Sequence, residues 1–377
     1  MDYAKNRAWL EVDLAVLREN FHKLRQFISP QADIMIVVKA DAYGLGAVKA
    51  AQALASAGCR MFGTAYLEEA MELREHGIEG PILVLGAVLP HQVEVAVENH
   101  LTLQVSSPAM AACFEQVAAR MGQTLSVQIA ADVGMGRFGI PLEGRVGQAV
   151  EEAAAIFQFP HLKVEGVYTH LTVIANPQEE AFDLYQLGLF QAFTDRLFAA
   201  GYRVPRHCAC SAMTLLYPQS HMDYIRVSAL PFGLQNPLYQ SFQLEEVLSL
   251  RTRILHLKEV PMGATVGYGP HYTKRDTRLA IIPIGFGDGL HRSISHRAPV
   301  LIRGKRAKIF GKLCMDFCMV DVTDIPAEVG DEVTLIGRSG EDAISIFEYA
   351  ALYGGTACEV STSLGKRINR IYLHEEL

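Results

Sequence analysis

The sequence predicts an α/β protein with two domains: an N-terminal (β/α)8 TIM barrel over residues 14–240 and a C-terminal, mainly antiparallel β domain over residues 241–377. Two observations predict this fold. Up to about residue 240, eight short apolar runs alternate with segments of helical periodicity, which favours a closed barrel over an open sheet. Beyond it, β-rich segments are separated by Gly, Pro and Asp, without the long helices that parallel crossovers require.

Each barrel strand is predicted from one apolar run. In chain order the runs are IMIVVK (34–39), MFGTA (61–65), PILVLG (81–86), LTLQV (101–105), LSVQIAA (125–131), KVEGVYT (163–169), RHCA (206–209) and YIRV (224–227). Amphipathic segments such as AVKAAQALASAG and PAMAACFEQVAARMG lie between several of them and end in glycine, which predicts helices. In the second domain the candidate strands are VLSLRTRILHL, RLAIIPIG, APVLIRG, RAKIFGK, CMVDVTD and DEVTLIG.

The composition excludes several classes of partner. The 377 residues carry a net charge of −7 and no sustained basic run, so we expect a small-molecule partner rather than nucleic acid or an anionic membrane. No apolar stretch approaches the roughly 20 residues that span a bilayer. The charged start, MDYAKNRAWLEVDLAVLREN, lacks the apolar core of a signal peptide, which indicates a cytoplasmic protein. The seven cysteines lack the common zinc spacing, so we expect reduced thiols and no metal.

Polar side chains end or follow five of the predicted barrel strands. Because barrel enzymes place their chemistry at the C-terminal ends of the strands, these side chains are candidate site residues. They are Lys39, Tyr43, Arg137, His170, Ser211 and Arg226. Each type also has an ordinary explanation: a rim lysine that extends to solvent, a core histidine, an arginine in a structural ion pair, or a serine that caps the next helix. Their convergence on one face is what indicates a site.

A cationic pocket centred on a lysine, with no metal cluster, favours an anionic cofactor that forms an imine. Pyridoxal phosphate (PLP) fits this chemistry, because its aldehyde forms a Schiff base with lysine and its ring withdraws electrons. A buried ammonium group is costly unless it is neutralised, paired or bonded. Covalent use of its nitrogen would explain why an apolar run leads directly into Lys39.

Several motifs resemble those of the alanine racemase family, in the same order along nearly the whole chain. VVKADAYGLG is similar to the family's lysine-bearing motif, and the others are AWLEVDL, DVGMGRFG, EGVYTH, ATVGYGPHYT, LAIIPIGFGDG, GKLCMDF and RINRIY. The resemblance implies a fold-type III PLP enzyme whose C-terminal β domain is completed by residues 1–13. It also implies an isomerase that interconverts L- and D-alanine, with D-alanine for bacterial cell-wall peptide as the expected product.

The resemblance further implies which residues contact the cofactor. Lys39 would hold PLP, and Tyr43 and Ser211 would contact its phosphate. Arg226 would face the pyridine nitrogen, where a permanent cation disfavours protonation of the ring. His170 would help to orient the catalytic tyrosine. The remaining cofactor-binding positions are Ser228, Ala229 and Cys358.

Racemisation needs a base on each face of the α-carbon, because loss of the α-proton leaves a planar centre. The resemblance implies Lys39 on one face and Tyr268 on the other, with Arg137, Met315 and Asp316 binding the substrate. In the family, the residues that correspond to Tyr268, Met315 and Asp316 reach the site of the neighbouring subunit. The resemblance therefore implies a homodimer with composite active sites.

The sequence departs from the family pattern around the same pocket. Ala130 occupies the place where many relatives carry a lysine that supports the arginine at position 137. The usual Arg-Pro-Gly reads Arg226-Val227-Ser228, and a thiol, Cys358, replaces a tyrosine. The other replacements are Cys210 for asparagine and Phe232 and Phe286 for tyrosines. These changes reflect either drift in an ordinary alanine racemase or a specificity shifted towards serine or another larger amino acid.

Three other functions fit parts of the pattern. An amino-acid decarboxylase shares the cofactor and the general architecture, a PLP carrier resembles a lone barrel, and an inactive homologue would keep PLP binding alone. The AYG after the lysine, VGYGP and CMD favour the racemase.

Overall fold

The computed structural model describes residues 6–172, 179–234 and 242–375. The chain forms two compact units, which we call the barrel unit (Phe21–Ala42 and Ala47–Pro231) and the sheet unit (Met1–Asn20, Tyr43–Gly46 and Phe232–Leu377). The predicted domain boundary between residues 240 and 241 lies outside the described residues. Within the described ranges, no helix is long and apolar enough to cross a membrane.

The first described elements are strand β1 (Ala8–Asp13) and helix α1 (Leu14–Phe27). The barrel unit then supplies nine strands in its described part. They are β2 (Asp33–Val37), β3 (Met61–Thr64), β4 (Ile82–Val84), β5 (Thr102–Val105), β6 (Leu125–Asp132), β7 (Ile140–Pro141), β8 (Leu162–Thr169), β9 (Arg206–His207) and β10 (Tyr224–Val227). Each of the eight predicted runs overlaps one of these strands, and the short β7, which pairs with β6, is the additional one.

The barrel strands are parallel and follow the order β10-β2-β3-β4-β5-β6-β8-β9. The two ends of this sheet meet, since the Arg226 N–H donates to the Ala209 carbonyl over 2.8 Å. The result is a nearly closed eight-stranded barrel, which confirms the predicted (β/α)8 architecture. Strand β2 is buried at every position from Ile34 to Val37, as expected for a strand that is covered on both faces.

Helices alternate with these strands along the chain. They are α2 (Lys39–Gly44), α3 (Ala47–Ser56), α4 (Leu67–Glu75), α5 (Val93–Glu98), α6 (Pro108–Met121), α7 (Val146–Ile156), α8 (Glu180–Ala199) and α9 (Ser211–Leu216), with 3₁₀ turns at Pro90–Gln92 and Pro218–Ser220. Helix α6 illustrates how the sequence sets their ends. Ser107 caps it by accepting the Met110 N–H over 3.1 Å, Pro108 occupies the first turn, and Gly122 ends it in the left-handed conformation.

The sheet unit is mainly antiparallel, as predicted. Its later strands are β11 (Leu248–Arg253), β12 (His256–Val260), β13 (Thr277–Ile282), β14 (Pro299–Ile302), β15 (Lys305–Phe310), β16 (Cys318–Asp321), β17 (Glu332–Ser339), β18 (Asp342–Ile344) and β19 (Asn369–Leu373). The order is β12-β13-β16-β15-β14-β17-β11-β1-β19, with β18 on β17. Strand β1 is antiparallel to β11 and parallel to β19. Helices α10 (Ile346–Tyr353) and α11 (Ala357–Ser363) and the 3₁₀ turns Phe286–Asp288 and Arg292–Ile294 complete the unit.

Candidate active site

Lys39 begins a short left-handed turn. Strand β2 ends at Val37, and the next helix, α2, has φ between +51° and +59° at four consecutive residues from Ala40 to Tyr43. Such a turn costs an L-residue roughly 1–2 kcal/mol at each position, so it persists only where other contacts hold it. Glu69 accepts the Ala40 N–H over 2.7 Å, and Asp41 accepts the N–H of residue 47 over 2.7 Å. The sequence predicted that the apolar run delivers Lys39, and the turn that presents it is left-handed.

Arg226 is the buried centre of a hydrogen-bonded chain inside the barrel. Its guanidinium contacts Nδ1 of His207 at 2.9 Å and Nδ1 of His170 at 3.1 Å, and donates to the Thr169 carbonyl at 3.0 Å. Because arginine can only donate, both Nδ1 atoms must accept, so both rings are neutral with the proton on Nε2. The His207 Nε2–H then donates to Oε1 of Gln128 at 2.8 Å.

His170 is held neutral by burial and by the positive charges around it. Burial is the main cause that lowers its pKa to about 3, and the charges of Arg226, Arg137 and Lys39 lower it further. Among the described residues, no ion pair includes either arginine. The predicted Lys39, Arg137, His170 and Arg226 therefore share one cationic region of the barrel unit, and a bound anion would balance it.

Ser211 lies on the same unit and contacts the residue that follows the last barrel strand. It is the first residue of α9, and Cys210 rather than Ser211 is the N-cap, so the ordinary explanation of this serine as a helix cap is wrong. The Ser211 Oγ accepts the Ser228 N–H over 3.2 Å. Ser228 and Ala229 follow β10 and are half-buried. The hydrogen bond from Ser228 places the start of their loop beside the Ser211 hydroxyl.

The sheet unit carries the other predicted site residues: Tyr43, Tyr268, Met315, Asp316 and Cys358. Tyr43 is buried, with its ring centroid 6.1 Å from that of Phe232. Cys358 is half-buried in α11, and its thiol belongs to no disulfide.

Tyr268 and Met315 stand on two touching loops. The loops meet at glycines: a Cβ on Gly267 would lie 3.4 Å from the Lys312 carbonyl oxygen, and one on Gly311 would lie 2.9 Å from the oxygen of residue 266. The two loops expose four large side chains, which we call the Tyr268 patch. The patch comprises Tyr268 (63% exposed), Tyr272 (57%), Met315 (54%) and Phe317 (43%). A group of exposed aromatic and apolar side chains of this kind is typical of an interaction surface.

Comparison with known proteins matches two consecutive parts of the chain to two family models. Residues 12–236 match the family model described as alanine racemase, N-terminal domain, and residues 247–372 match the one described as alanine racemase, C-terminal domain. The chain belongs to the alanine racemase family. It is 37% identical over 374 residues to the alanine racemase of Desulfovibrio desulfuricans, an alignment that covers 97% of this chain and 98% of that protein.

Solved structures of racemases match the chain over almost its whole length. The alanine racemase from D-cycloserine-producing Streptomyces lavendulae is 32% identical, with a TM-score of 0.92 and coverage of 98% of this chain and 97% of that one. A histidine racemase from Leuconostoc mesenteroides is 28% identical, with a TM-score of 0.87 and coverage of 98% of both chains.

The departure from the alanine racemase pattern at Ala130 lies in an apolar layer of the barrel. Ala130 is buried with Met35, Leu83 and Tyr168 in one cluster. Burial raises the pKa of Tyr168 to about 12, so its phenol stays protonated. Its ring stacks on His207, with centroids 5.1 Å apart. Among the described residues, Arg137 has an aromatic neighbour, Phe138, rather than a carboxylate.

Sequence reasoning missed two groups of polar residues. Gln128 and His207 support Arg226 from within the barrel, and the signal was a polar residue in each of two buried strands. Asp288 and Arg367 lie in the motifs LAIIPIGFGDG and RINRIY, which were recognised without a role for either residue. The structure joins them to Asp316, one of the predicted site residues.

Proposed function

We propose that the protein is a PLP-dependent amino-acid racemase that interconverts L- and D-alanine. One observation carries the proposal. Lys39, which a left-handed turn presents, and the two arginines Arg226 and Arg137 all place positive charge close enough to His170 to lower its pKa. Membership of the alanine racemase family supports the reaction, and the geometry of the barrel unit supports the cofactor.

The donor set fits PLP. The cofactor carries a phosphate and a phenolic oxygen, and the barrel unit offers two arginines that form no ion pair within the described ranges. Lys39 would hold the cofactor, Arg226 would face its ring nitrogen, and Ser211, Ser228 and Ala229 would lie near its phosphate. Tyr43 and Cys358 are proposed as further phosphate-side contacts. When bound, PLP would supply an electron sink that acidifies the α-proton of the amino acid.

The residues of the chain would then move one proton on each face of the substrate. Lys39 takes or returns the α-proton on one face, and the Tyr268 phenol does the same on the other, so the α-carbon inverts. His170 stays neutral at any pH above about 4, because its pKa is about 3. It therefore contributes a hydrogen bond rather than a charge. Arg137 and Met315, with Asp316, would orient the substrate.

We propose that the active unit is a homodimer with composite sites. Tyr268 and Met315 are more than half exposed within one chain, on the Tyr268 patch, as residues that complete a neighbour's site would be. We also propose a cytoplasmic location, since none of the seven cysteines, all of which lie in the described ranges, forms a disulfide.

Two experiments test the function and the composite site. The PLP-loaded protein is incubated with L-alanine, L-serine or L-histidine, and the D-enantiomer is measured; D-alanine formation with the highest kcat/KM supports the proposal. Release of carbon dioxide would identify a decarboxylase instead. Retention of PLP without turnover of any of the three would identify an inactive homologue.

For the composite site, Lys39→Ala and Tyr268→Phe chains are co-expressed with different tags. If each site combines Lys39 of one chain with Tyr268 of the other, one of the two sites in every mixed dimer is intact. Random pairing makes about half of the dimers mixed, so the co-expressed sample should show about one quarter of wild-type activity. Absence of activity in purified mixed dimers would mean that each site is built from one chain.

A further inference from the structure

We infer that Arg367, held in place by the buried Asp288, is a positioning residue for the loop that carries Met315 and Asp316. The inference rests on the proposed function, which places Met315 and Asp316 at the substrate. The proposed function assigns no role to Asp288 or Arg367, and their contacts explain how an exposed loop keeps one geometry.

Asp288 is a carboxylate with no exposed side-chain surface. A buried charge of this kind is costly unless ionic and hydrogen-bonded partners satisfy it. Arg7 contacts both oxygens, with Nη2 at 2.5 Å from Oδ1 and Nη1 at 3.2 Å from Oδ2. The Gly285 N–H donates to Oδ2 over 2.9 Å, and Arg367 Nε lies 3.2 Å from Oδ1. Asp288 is therefore a fixed anchor, and one of its four contacts is Arg367.

Arg367 joins this anchor to the loop. While its Nε faces Asp288, its Nη2 donates to Oδ1 of Asp316 over 2.7 Å. A guanidinium is planar and its donors point in fixed directions, so the contact with Asp288 determines where the second carboxylate must lie. The charges alternate from Arg7 through Asp288 and Arg367 to Asp316, which favours this order of contacts.

The turn that carries Asp288 also holds the loop by its backbone. The Phe286 N–H donates to the Cys314 carbonyl over 3.1 Å, and the Gly287 N–H donates to the Met315 carbonyl over 2.9 Å. A Cβ on Gly287 would lie 2.7 Å from Arg367 Nη1 and 3.0 Å from the Met315 oxygen, so the guanidinium and the loop pack directly on this glycine. The loop is thus fixed at two carbonyls and at one carboxylate.

Loss of Arg367 leaves the two backbone bonds but releases the Asp316 carboxylate, which is 46% exposed. Displacement by about 1 Å of a group that contacts the substrate lowers the reaction rate on the order of 100-fold. We therefore expect Arg367→Gln to lower kcat/KM for alanine by about ten- to hundredfold. The absorbance of bound PLP should not change, because Lys39 is untouched.

A matched control separates this effect from the loss of any arginine ion pair. Arg306 lies in the same unit and pairs with Asp342 and Glu348 at 2.7 Å each, and neither partner belongs to the loop of Met315. Arg306→Gln should leave kcat/KM unchanged. Arg367→Lys should fail to restore activity, because one ammonium nitrogen cannot take the places of both Nε and Nη2. Wild-type kcat/KM in Arg367→Lys would overturn the bridging geometry.

A double-mutant cycle with Asp316→Ala tests the positioning role directly. In the Asp316→Ala background the contact is already absent, so Arg367→Gln should change kcat/KM by about twofold or less. An equal fall in both backgrounds, or a lower thermal midpoint with unchanged kcat/KM, would make Arg367 a merely structural residue. A wild-type enzyme that does not racemise alanine would overturn the proposed function as well, whereas an active wild type with an additive cycle would overturn the positioning role alone.

Discussion

Gly44 ends the left-handed turn that presents Lys39, and its replacement by alanine tests what holds the turn. Its φ is +81°, and a Cβ would lie 2.4 Å from the Ser361 carbonyl oxygen and 3.0 Å from the carbonyl carbon. Backbone atoms cannot rotate away as a flexible side chain can. The left-handed φ alone costs alanine about 1 kcal/mol, and overpacking adds about 1–3 kcal/mol. We expect Gly44→Ala to lower the free energy of unfolding by about 2–4 kcal/mol.

Gly58→Ala is the matched control for this prediction. Gly58 also has a left-handed φ, +100°, but no atom lies within 4 Å of its Cβ position, so only the backbone term of about 1 kcal/mol applies. Denaturation of both variants gives the two free energies, and the absorbance of bound PLP in the same samples reports the site. Because Gly44 is bonded to Tyr43, its displacement should also weaken PLP retention. Equal destabilisation of the two variants would refute the packing argument.

Three further predictions address the cofactor, the pH dependence and the barrel interior. Lys39→Ala should abolish the absorbance of bound PLP, while Tyr268→Phe should retain it, lose racemisation in both directions and lose α-proton exchange chiefly with the L-enantiomer; wild-type exchange with the L-enantiomer in Tyr268→Phe would contradict the two-base assignment. Burial raises the pKa of Glu246 from 4.5 to about 7, so its contribution to stability is complete below pH 4.5 and is lost as the pH rises through 7. Glu246→Gln keeps an acceptor for the Ile346 N–H and should stabilise the protein by up to about 3 kcal/mol at pH 8 but little at pH 4, as measured by urea denaturation; an equal effect at both pH values would contradict this. Gln128→Leu removes the acceptor of the buried His207 Nε2–H and should lower the free energy of unfolding by about 1–3 kcal/mol. Gln104→Leu is the control, because this buried amide has no hydrogen-bond partner among the described residues, and the substitution should be neutral or stabilising. A lower unfolding midpoint for Gln104→Leu than for Gln128→Leu would contradict the hydrogen-bonded chain.

The strands of the barrel were predictable because burial on both faces leaves a continuous apolar run. Ile34, Met35 and Ile36 are all almost fully buried in β2, and the observed strand overlaps the predicted one. The prediction overran the strand at its end, since Val38 is as apolar as its neighbours but belongs to the connection to Lys39. Apolar character reports burial, and it does not report where the backbone stops pairing.

The hand of the turn after Lys39 had no local signal. Ala40, Asp41 and Ala42 suit an ordinary right-handed helix, and only the later glycines hint at an unusual backbone. The turn is held by a hydrogen bond from Ala40 to Glu69, a residue of another element. Local propensity could not reveal a conformation that a distant carboxylate stabilises.

The ionic contacts of Asp288 with Arg7 and Arg367 could not be predicted either, because they too join residues that are distant in the sequence. Arg7 and Asp288 are 281 positions apart, and Arg367 is a further 79 positions beyond Asp288. Each is an unremarked charge in its own segment, and the buried pairing exists only once β1 and β19 lie side by side in the sheet. The candidate residues on the barrel strands were easier to predict, because parallel strands bring their C-terminal ends to one face.

The two-base racemisation of alanine is tested by following the α-proton and the configuration of the amino acid together. The PLP-loaded protein is incubated with L-alanine in deuterium oxide, and deuterium incorporation and D-alanine formation are measured in the same samples. We expect exchange at the α-carbon to accompany inversion, because Lys39 and Tyr268 act on opposite faces. Absence of exchange by protein that retains PLP at Lys39 would contradict it.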